Sequence, residues 1–393
     1  MSAPAPPWGR QQPPPWRNVR VRRIAIQVVF LAAVIASLGY LYGNVTSNLR
    51  RLGISTSFAW LDQPAGIPLA YSDIQPSDSY LAAILAGVRN TALVAVLGIV
   101  LATIIGVLVG VGRLSSNWLV RQAASVFVEA LRNIPVLLII LFFYLAIFLQ
   151  APPLRDAFEL GDLVVLSVRG LVIPWFETTG DLGLFLALLA AAVVAAVAVG
   201  IWRTRLFERT GRPHHRLAWI GGTLLLGVVV AYVAGGRPLM LSLPERGEFA
   251  TEAGLRLGPE YAALLVGLTL YTASHIAEIA RGSILAVPRG QVEAGTALGL
   301  SGAQRLRHVV LPQAMRIMIP PLANQYLNLI KNSSLGVAVA FPEVTQVIKI
   351  AIGQAAPAPQ AIALLMLVYL AFSLVTSLLM NLYNWRISRR GAR

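Results

Sequence analysis

The sequence contains no cysteine and carries little charge. The absence of cysteine from its 393 residues excludes disulfides, thiolate metal sites and cysteine nucleophiles. Histidine, the next common metal ligand, occurs four times without metal-ligand spacing (His214, His215, His275 and His308). Charged residues make up 12% of the chain, against about 25% in soluble domains. The composition therefore differs from that of a soluble domain, and no metal site is expected.

A phosphate-binding loop is also absent. The chain has only two lysines, Lys331 and Lys349, and neither is preceded by glycine or followed by serine or threonine. A Walker A loop needs that pattern to hold nucleotide phosphates. We therefore expect no cofactor on this chain.

Apolar sequence is abundant instead. Hydrophobic residues make up 56% of the chain, the mean hydropathy is +0.69, and uncharged runs of about 20 residues recur. This pattern predicts an all-α polytopic membrane protein with about eight transmembrane helices. The predicted spans lie at 24–42, within 81–112 and 123–150, and at 182–202, 217–234, 261–280, 317–340 and 360–385. The predicted external loops are 43–80, 151–181, 235–260 and 341–359.

The net charge of +15 would favour nucleic acid as the partner of a soluble chain. Here the arginines cluster beside the apolar spans, which is typical of loops on the cytoplasmic side. With eight spans, 21 arginines and lysines fall in predicted inside segments and 8 in outside segments. The distribution predicts that both termini are cytoplasmic.

The two ends of the chain are predicted to be basic tails. Residues 1–23 are rich in proline and arginine and read as a disordered cytoplasmic tail, and residues 386–393 form a second basic tail. The span at 24–42 could instead be a signal peptide. It is longer than a typical signal core and has no clear small-x-small cleavage site, so an uncleaved helix is the preferred interpretation.

Two local patterns inside the spans predict contacts. Gly106 and Gly110 have the small-xxx-small spacing that permits close approach of another helix. Glu129 and Arg132 lie three residues apart near the start of the third predicted span. That spacing favours an interfacial ion pair over a substrate site.

A polar segment at 281–312 separates two apolar spans. Its pattern is Glu293-Ala294-Gly295, three residues, Gly299-Leu300-Ser301, and later Leu311-Pro312. Pro288 suits the start of a helix, Gly299 the left-handed position that ends it, and Ser301 with Gln304 a capping box for a second helix. Pro312 is expected to stop that second helix. The segment reads as two short helices around a turn, either a cytoplasmic loop without a partner or a docking element for another protein.

The segment resembles the EAA loop of ABC transporter permeases, with Gly295 and Val309 in place of alanine and isoleucine. Segments 280–282, 287–291 and 325–335 are similar to its flanks in polar amino acid permeases. Residues 81–385 resemble the larger permeases of general L-amino acid importers. The resemblance implies a type I importer core of five spans, preceded by one extra span and carrying two inserted spans at about 150–235. It also implies that the loop docks on a separate ATPase, which holds ATP and Mg²⁺, with a second permease and a periplasmic solute-binding protein as further partners.

Polar residues at bilayer depth are the candidates for the substrate pathway. Asn324, Asn328 and Lys331 share one helix face, Asn332 follows them, and His275 and Glu278 share a face of the preceding span. Charged groups at that depth are costly and usually face a cavity. Helix–helix hydrogen bonding, with Lys331 reaching the interface by snorkelling, is the alternative interpretation.

The preferred hypothesis is a permease subunit of an ATP-driven importer of L-amino acids, which is a transport component and not an enzyme. An ion-coupled secondary transporter is the alternative, but it gives the docking segment no role. A membrane-embedded enzyme would need converging catalytic groups, and His275 with Glu278 is the one weak candidate.

Overall fold

The computed structural model describes residues 19–53, 57–211, 215–245, 247, 251, 253–354 and 356–389. In that part of the chain, α-helix dominates. The helices are α1 (Val19–Arg51), α2 (Tyr80–Gly112), α3 (Trp118–Arg132), α4 (Val136–Phe142), α5 (Leu182–Thr210), α6 (Arg216–Ala234), α7 (Pro259–Leu285), α8 (Arg289–Ala297), α9 (Gly302–Arg305), α10 (Leu311–Asn332), α11 (Val344–Gly353) and α12 (Ala358–Arg389). The strands are β1 (Phe158–Glu159), β2 (Val165–Ser167), β3 (Gly170–Ile173), β4 (Trp175–Thr178), β5 (Leu239–Ser242) and β6 (Leu255–Leu257).

Six of the described helices are long and apolar enough to cross a membrane, and the number rises to eight if each of two bent helix pairs counts as one span. The prediction of about eight spans matches the upper number. One bent pair joins α3 to α4 and the wide helical turn Phe143–Phe148, at an angle of 104°. The third predicted span is therefore broken rather than straight. The break falls at Pro135, which has no N–H to continue the α3 hydrogen bonds and disfavours helical backbone in the residue before it.

Helices α2 and α7 form the centre of the fold, and small residues let them approach closely. A Cβ added at Gly106 would lie 2.7 Å from the Ile276 Cβ, and one at Gly110 would lie 2.5 Å from the Ala277 carbonyl oxygen. Both distances are too short for any side chain. The close helix contact predicted from the spacing of these two glycines is thus confirmed.

Helices α5 and α6 pack on each other as a hairpin within the predicted insertion. A Cβ at Gly227 of α6 would lie 2.2 Å from the Ala192 Cβ of α5, so the two backbones are in close contact. Helix α1, by contrast, buries no side chain among those described. The chain therefore combines a packed core with helices whose apolar surfaces remain open to lipid.

Short strands occupy two segments that the sequence interpretation assigned to external loops. Strands β1, β2, β3 and β6 form an antiparallel sheet in that order, and β4 pairs with β5. Leu171 of β3 faces Leu257 of β6, directly before α7 begins. The chain is mostly helical, as predicted, but these strands were not predicted, because strands of two to four residues are too short to show alternation in the sequence.

The segment 341–359 was predicted to be an external loop, but it contains α11 and is largely buried. The Asn90 side chain donates to the Pro342 carbonyl at 3.0 Å, and the Val344 N–H donates to the Thr91 hydroxyl at 3.1 Å. Phe341, Glu343 and Val344 are each fully buried. Helix α11 therefore belongs to the core, held there by polar groups of α2.

The predicted tails are shorter than expected where the structure describes them. Helix α1 already begins at Val19 and continues to Arg51, so residues 19–23 are helical. Helix α12 extends to Arg389 through the first residues of the predicted carboxyl tail. The remaining tail residues, 1–18 and 390–393, lie outside the described residues.

The close approach of α2 and α7 leads to a stability prediction. The Gly110→Ala variant should be less stable than the native protein by about 1–3 kcal/mol, because the added methyl group overlaps the Ala277 backbone. The thermal midpoint of the detergent-purified chain measures this. Gly112→Ala on the same helix is the matched control, since its Cβ would meet Ala124 at an ordinary 3.5 Å. Equal midpoints for the two variants would contradict the close packing.

Candidate functional site

The polar segment folds as two short helices around a turn, as predicted. Helix α8 begins directly after Pro288, and Gly299 adopts a left-handed φ of +74° beyond its end. The Ser301 hydroxyl accepts from the Gln304 N–H at 3.3 Å, while the Gln304 side chain accepts from the Ser301 N–H at 2.9 Å. The capping box is therefore confirmed, and it fixes the start of α9.

Pro312 does not end the second helix, contrary to the prediction. Helix α9 continues through a wide turn at Leu306–Val310 into α10, and Pro312 lies in the first turn of α10. The Leu311 N–H reaches back to the Leu306 carbonyl, and the Gln313 side chain donates to the Val309 carbonyl at 3.0 Å. The wide turn and this side-chain bond accommodate a residue without an N–H, so the helix continues.

One face of helix α8 is exposed, and the opposite face is buried. Glu293 and Ala294 are exposed, and Leu298 beside the turn is 80% exposed. Gly295 lies on the opposite, buried face, where an added Cβ would be 3.1 Å from the Arg305 side chain. The sequence interpretation missed Leu298, although it directly precedes Gly299 of the motif. An exposed leucine at the tip of a polar segment is typical of a surface that another protein covers.

Hydrogen bonds between the two short helices and the turn hold the segment together. The Leu300 N–H donates to the Gly295 carbonyl at 3.1 Å, and the Arg305 guanidinium donates to the Thr296 hydroxyl at 2.6 Å. Leu311 is partly exposed beside Pro312 at the start of α10. Below them, a small apolar cluster packs the segment against α7 and α10 (Val287, Val310 and Ala314, with Ile284 and Val292). The exposed face of α8 thus rests on a rigid base.

Glu278 lies among arginines of three helices, which we call the Glu278 cluster (Glu278, Arg113, Arg132 and Arg281). Its carboxylate accepts from Arg281 at 2.9 Å, forms an ion pair with Arg113 at the end of α2, and lies 3.7 Å from Arg132 of α3. The predicted pair of Glu129 with Arg132 is wrong, since Arg132 is directed to Glu278 instead. Arg281 lies on the next turn of α7, but Arg113 and Arg132 are far from Glu278 in sequence. Only the tertiary packing therefore reveals the cluster.

His275 is held within its own helix. Its Nδ1 lies 3.0 Å from the Tyr271 carbonyl oxygen, and the His275 and Tyr271 rings are tilted by 48° with their centroids 4.6 Å apart. Among the described residues no hydrogen bond joins His275 to Glu278, so the structure does not bring these two candidates together. Nothing there resembles a pair of catalytic groups.

The polar residues of α10 share an exposed face, as the spacing predicts. Asn324, Asn328 and Lys331 are exposed, whereas Leu322 and Leu329 of the same helix are buried against the core. Asn332 is half-buried where α10 passes into the tighter turn Ser333–Val339. Amide and ammonium groups on an outer face of a spanning helix are unsuited to lipid. This face therefore needs water or protein against it.

An aromatic cluster closes the opposite end of α7. The Tyr71 ring lies 5.8 Å from the Tyr261 ring and 5.7 Å from the Phe341 ring, measured between centroids. The Tyr71 hydroxyl donates to the Glu260 carboxylate at 2.8 Å. Burial raises the pKa of Tyr71, and the neighbouring Glu260 carboxylate adds to that rise. Tyr71 therefore stays neutral and keeps donating this hydrogen bond, which fixes the loop before α2.

The Glu278 cluster leads to a second stability prediction. Glu278→Gln should lower the free energy of unfolding by about 1–3 kcal/mol, because three guanidinium groups lose their shared carboxylate. Thermal unfolding of the purified chain measures the loss. Glu129→Gln provides the matched control, since it removes the same charge from an exposed position on α3. A Glu278 variant as stable as the control would show that the cluster contributes no net stability.

Residues 253–389 match the family described as binding-protein-dependent transport system inner membrane component. That range includes α7, the whole polar segment, α10, α11 and α12. It therefore contains the exposed face of α8 and all of the candidate pathway residues.

Three relatives match nearly the whole chain. The general L-amino acid transport system permease protein AapQ of Rhizobium johnstonii is 40% identical over 94% of this chain and 93% of its own length. The putative amino-acid ABC transporter permease protein YhdX of Escherichia coli is 40% identical over 94% of this chain and 95% of its own. The glutamate/glutamine/aspartate/asparagine transport system permease protein BztB of Rhodobacter capsulatus is 38% identical, with coverages of 93% and 94%. The chain therefore belongs to the amino acid ABC transporter permeases, the inner membrane components of binding-protein-dependent transport systems.

Proposed function

We propose that this permease carries L-amino acids inward as part of a complex that hydrolyses ATP on a separate subunit. The names of the relatives, which refer to general L-amino acid transport and to glutamate, glutamine, aspartate and asparagine transport, support this substrate class. The family implies an ABC ATPase and a solute-binding protein as partners. The observation on which the coupling proposal rests is the exposed face of α8, with Leu298 at its tip.

The coupling segment is residues 281–312, and the ATPase subunit binds its exposed face. Glu293, Ala294 and Leu298 provide one charge and an apolar contact on a short helix whose opposite face is packed. Leu298 is 80% exposed, so its burial in a pocket of the partner would lower the free energy of the complex, because its apolar area is then removed from water. The ATPase binds ATP and Mg²⁺, since this sequence contains no Walker A loop.

Movement of the coupling segment reaches the spans through two connections. The apolar cluster around Val287 and Val310 joins α8 to the ends of α7 and α10. One turn before the segment, the Glu278 cluster ties α7 to α2 and α3. A displacement of α8 by the ATPase would therefore shift several helices together, because packed elements move as rigid bodies between discrete states.

The exposed polar face of α10 lines the substrate pathway and meets a second permease subunit. Asn324, Asn328 and Lys331 would be costly against lipid, and a path between two permeases provides the water and protein that they need. An amino acid carries both charges, so amide groups and an ammonium group beside its route suit its polar atoms. Glu278 and His275 act as structural supports of this route, since their bonds are made within the chain.

The charge distribution supports the orientation. Segments assigned to the cytoplasm hold 21 arginines and lysines and those outside hold 8, which favours cytoplasmic termini. In that orientation the coupling segment meets the ATPase, and the loops on the other side meet the solute-binding protein.

Leu298→Asp should abolish coupling while leaving the fold intact. ATP-driven uptake of a labelled L-amino acid mixture into vesicles that contain the complex should fall at least about tenfold, because a carboxylate would be buried in the partner's pocket. Co-purification of the ATPase should be lost as well. The thermal midpoint of the chain should not change, since the side chain makes few contacts within the chain.

The conservative variant Leu298→Met is the control, because it keeps an apolar side chain and should retain uptake and ATPase binding. Normal uptake by Leu298→Asp would remove α8 from the coupling surface. Uptake without any ATPase would contradict the ATP-driven mechanism as a whole.

Asn328→Leu should reduce uptake several-fold while the ATPase remains bound, since it removes a polar group from the proposed pathway only. Asn381→Leu makes the same exchange at an exposed position of α12 and should leave uptake unchanged. Uptake and ATPase co-purification are measured on both variants. If the two behave alike, the polar face of α10 does not line the route.

A further inference from the structure

A cavity of about 760 Å³ lies along the α5–α6 hairpin and extends to the end of α12. It is the largest of the cavities described for this chain, and none of its lining residues belongs to the coupling segment or to the polar face of α10. None of the residues that line it belongs to the Glu278 cluster. The proposed transport function therefore leaves this cavity unexplained.

The long wall of the cavity is apolar and follows one side of the hairpin. Val193, Val197 and Ile201 occur at every fourth residue of α5, and Ile220 and Leu224 occupy successive turns of α6. The stripe is continuous for more than two turns of helix. A linear apolar chain, rather than a compact polar molecule, matches its shape.

One end of the cavity is strongly basic. Arg205 follows the apolar stripe on α5, Arg216 is the first residue of α6, and Arg386 comes from α12. Among the described residues, Glu208 is the only acidic one that lines it. Three guanidinium groups against one carboxylate favour an anion, and the N-terminus of the 19-residue helix α6 adds a further positive contribution.

Tryptophans mark the depth at which the basic end lies. The Arg203 guanidinium carbon lies 4.3 Å from the centre of the Trp219 ring and 5.4 Å from that of Trp202. Tryptophan and arginine together are typical of the headgroup level of a membrane. The apolar stripe from Ile201 to Val193 then runs inward, at the depth of the acyl chains.

We propose that this cavity binds an anionic phospholipid, with its phosphate among Arg205, Arg216 and Arg386 and an acyl chain along the apolar stripe. Basic pockets between membrane helices are known to hold anionic headgroups. A free phosphate would use the arginines alone and leave the apolar wall without a role. A bound lipid would join the α5–α6 hairpin to the end of α12, which gives the inserted hairpin a fixed place beside the core.

The test is native mass spectrometry of the full-length chain in detergent, titrated with phosphatidylglycerol. One phosphatidylglycerol should remain bound, and phosphatidylcholine should bind far more weakly because its headgroup has no net charge. The double variant Arg205→Ala/Arg216→Ala should bind phosphatidylglycerol roughly thirtyfold more weakly. Arg209→Ala, on the same helix but outside the cavity, should leave the affinity unchanged.

The apolar wall is tested separately. Val197→Phe fills the stripe and should weaken phosphatidylglycerol binding, whereas Val194→Phe, at the neighbouring position outside the cavity, should not. Equal binding of phosphatidylcholine, or an unchanged affinity in the double arginine variant, would overturn the proposal. So would binding of glycerol 3-phosphate as tight as that of the whole lipid, since the acyl chain would then contribute nothing.

Discussion

The close contact between α2 and α7 is the constraint on which the rest of the structure depends. At Gly106 and Gly110 the two helices approach so closely that no side chain fits between them. In a membrane, lipid competes equally for apolar surface, so helices associate through close packing rather than through the hydrophobic effect. Ala273, Ala277 and Ala280 supply the complementary small surface on α7, and all three are buried. The other core helices assemble around this pair.

The Glu278 cluster and the aromatic cluster occupy the two ends of that pair. At the end next to the coupling segment, the carboxylate of Glu278 compensates guanidinium groups from α2, α3 and α7 where the helices leave their packed region. The coupling segment follows directly, with its own apolar base. At the other end, Tyr71, Tyr261 and Phe341 close the core. A rigid pair with distinct contacts at each end can pass a displacement from one side of the membrane to the other.

Much of this architecture could be predicted from the sequence, and the features that were predicted wrongly or missed have physical explanations. Spans, the glycine contact and the Ser301 capping box depend on local spacing, which sequence displays directly. Helix α11, the short strands and the contacts of Glu278 with Arg113 and Arg132 depend on tertiary packing that local patterns do not contain. Pro312 was misread because proline excludes only the interior of a regular helix, and here a wide turn precedes it.

The exposed surface of the spanning helices is of two kinds, apolar faces that lipid can cover and a polar face on α10 that lipid cannot. In the most apolar stretch of each helix, 67% of the α7 residues are buried, whereas none of the α1 or α12 residues are, despite the higher hydropathy of these two helices. In water such apolar faces would demand a protein partner, but lipid already satisfies them. The polar face of α10 is the opposite case, because lipid cannot satisfy the amide groups of Asn324 and Asn328. Exposed polarity, rather than exposed apolar area, therefore identifies where a spanning helix of this permease needs water or a second subunit.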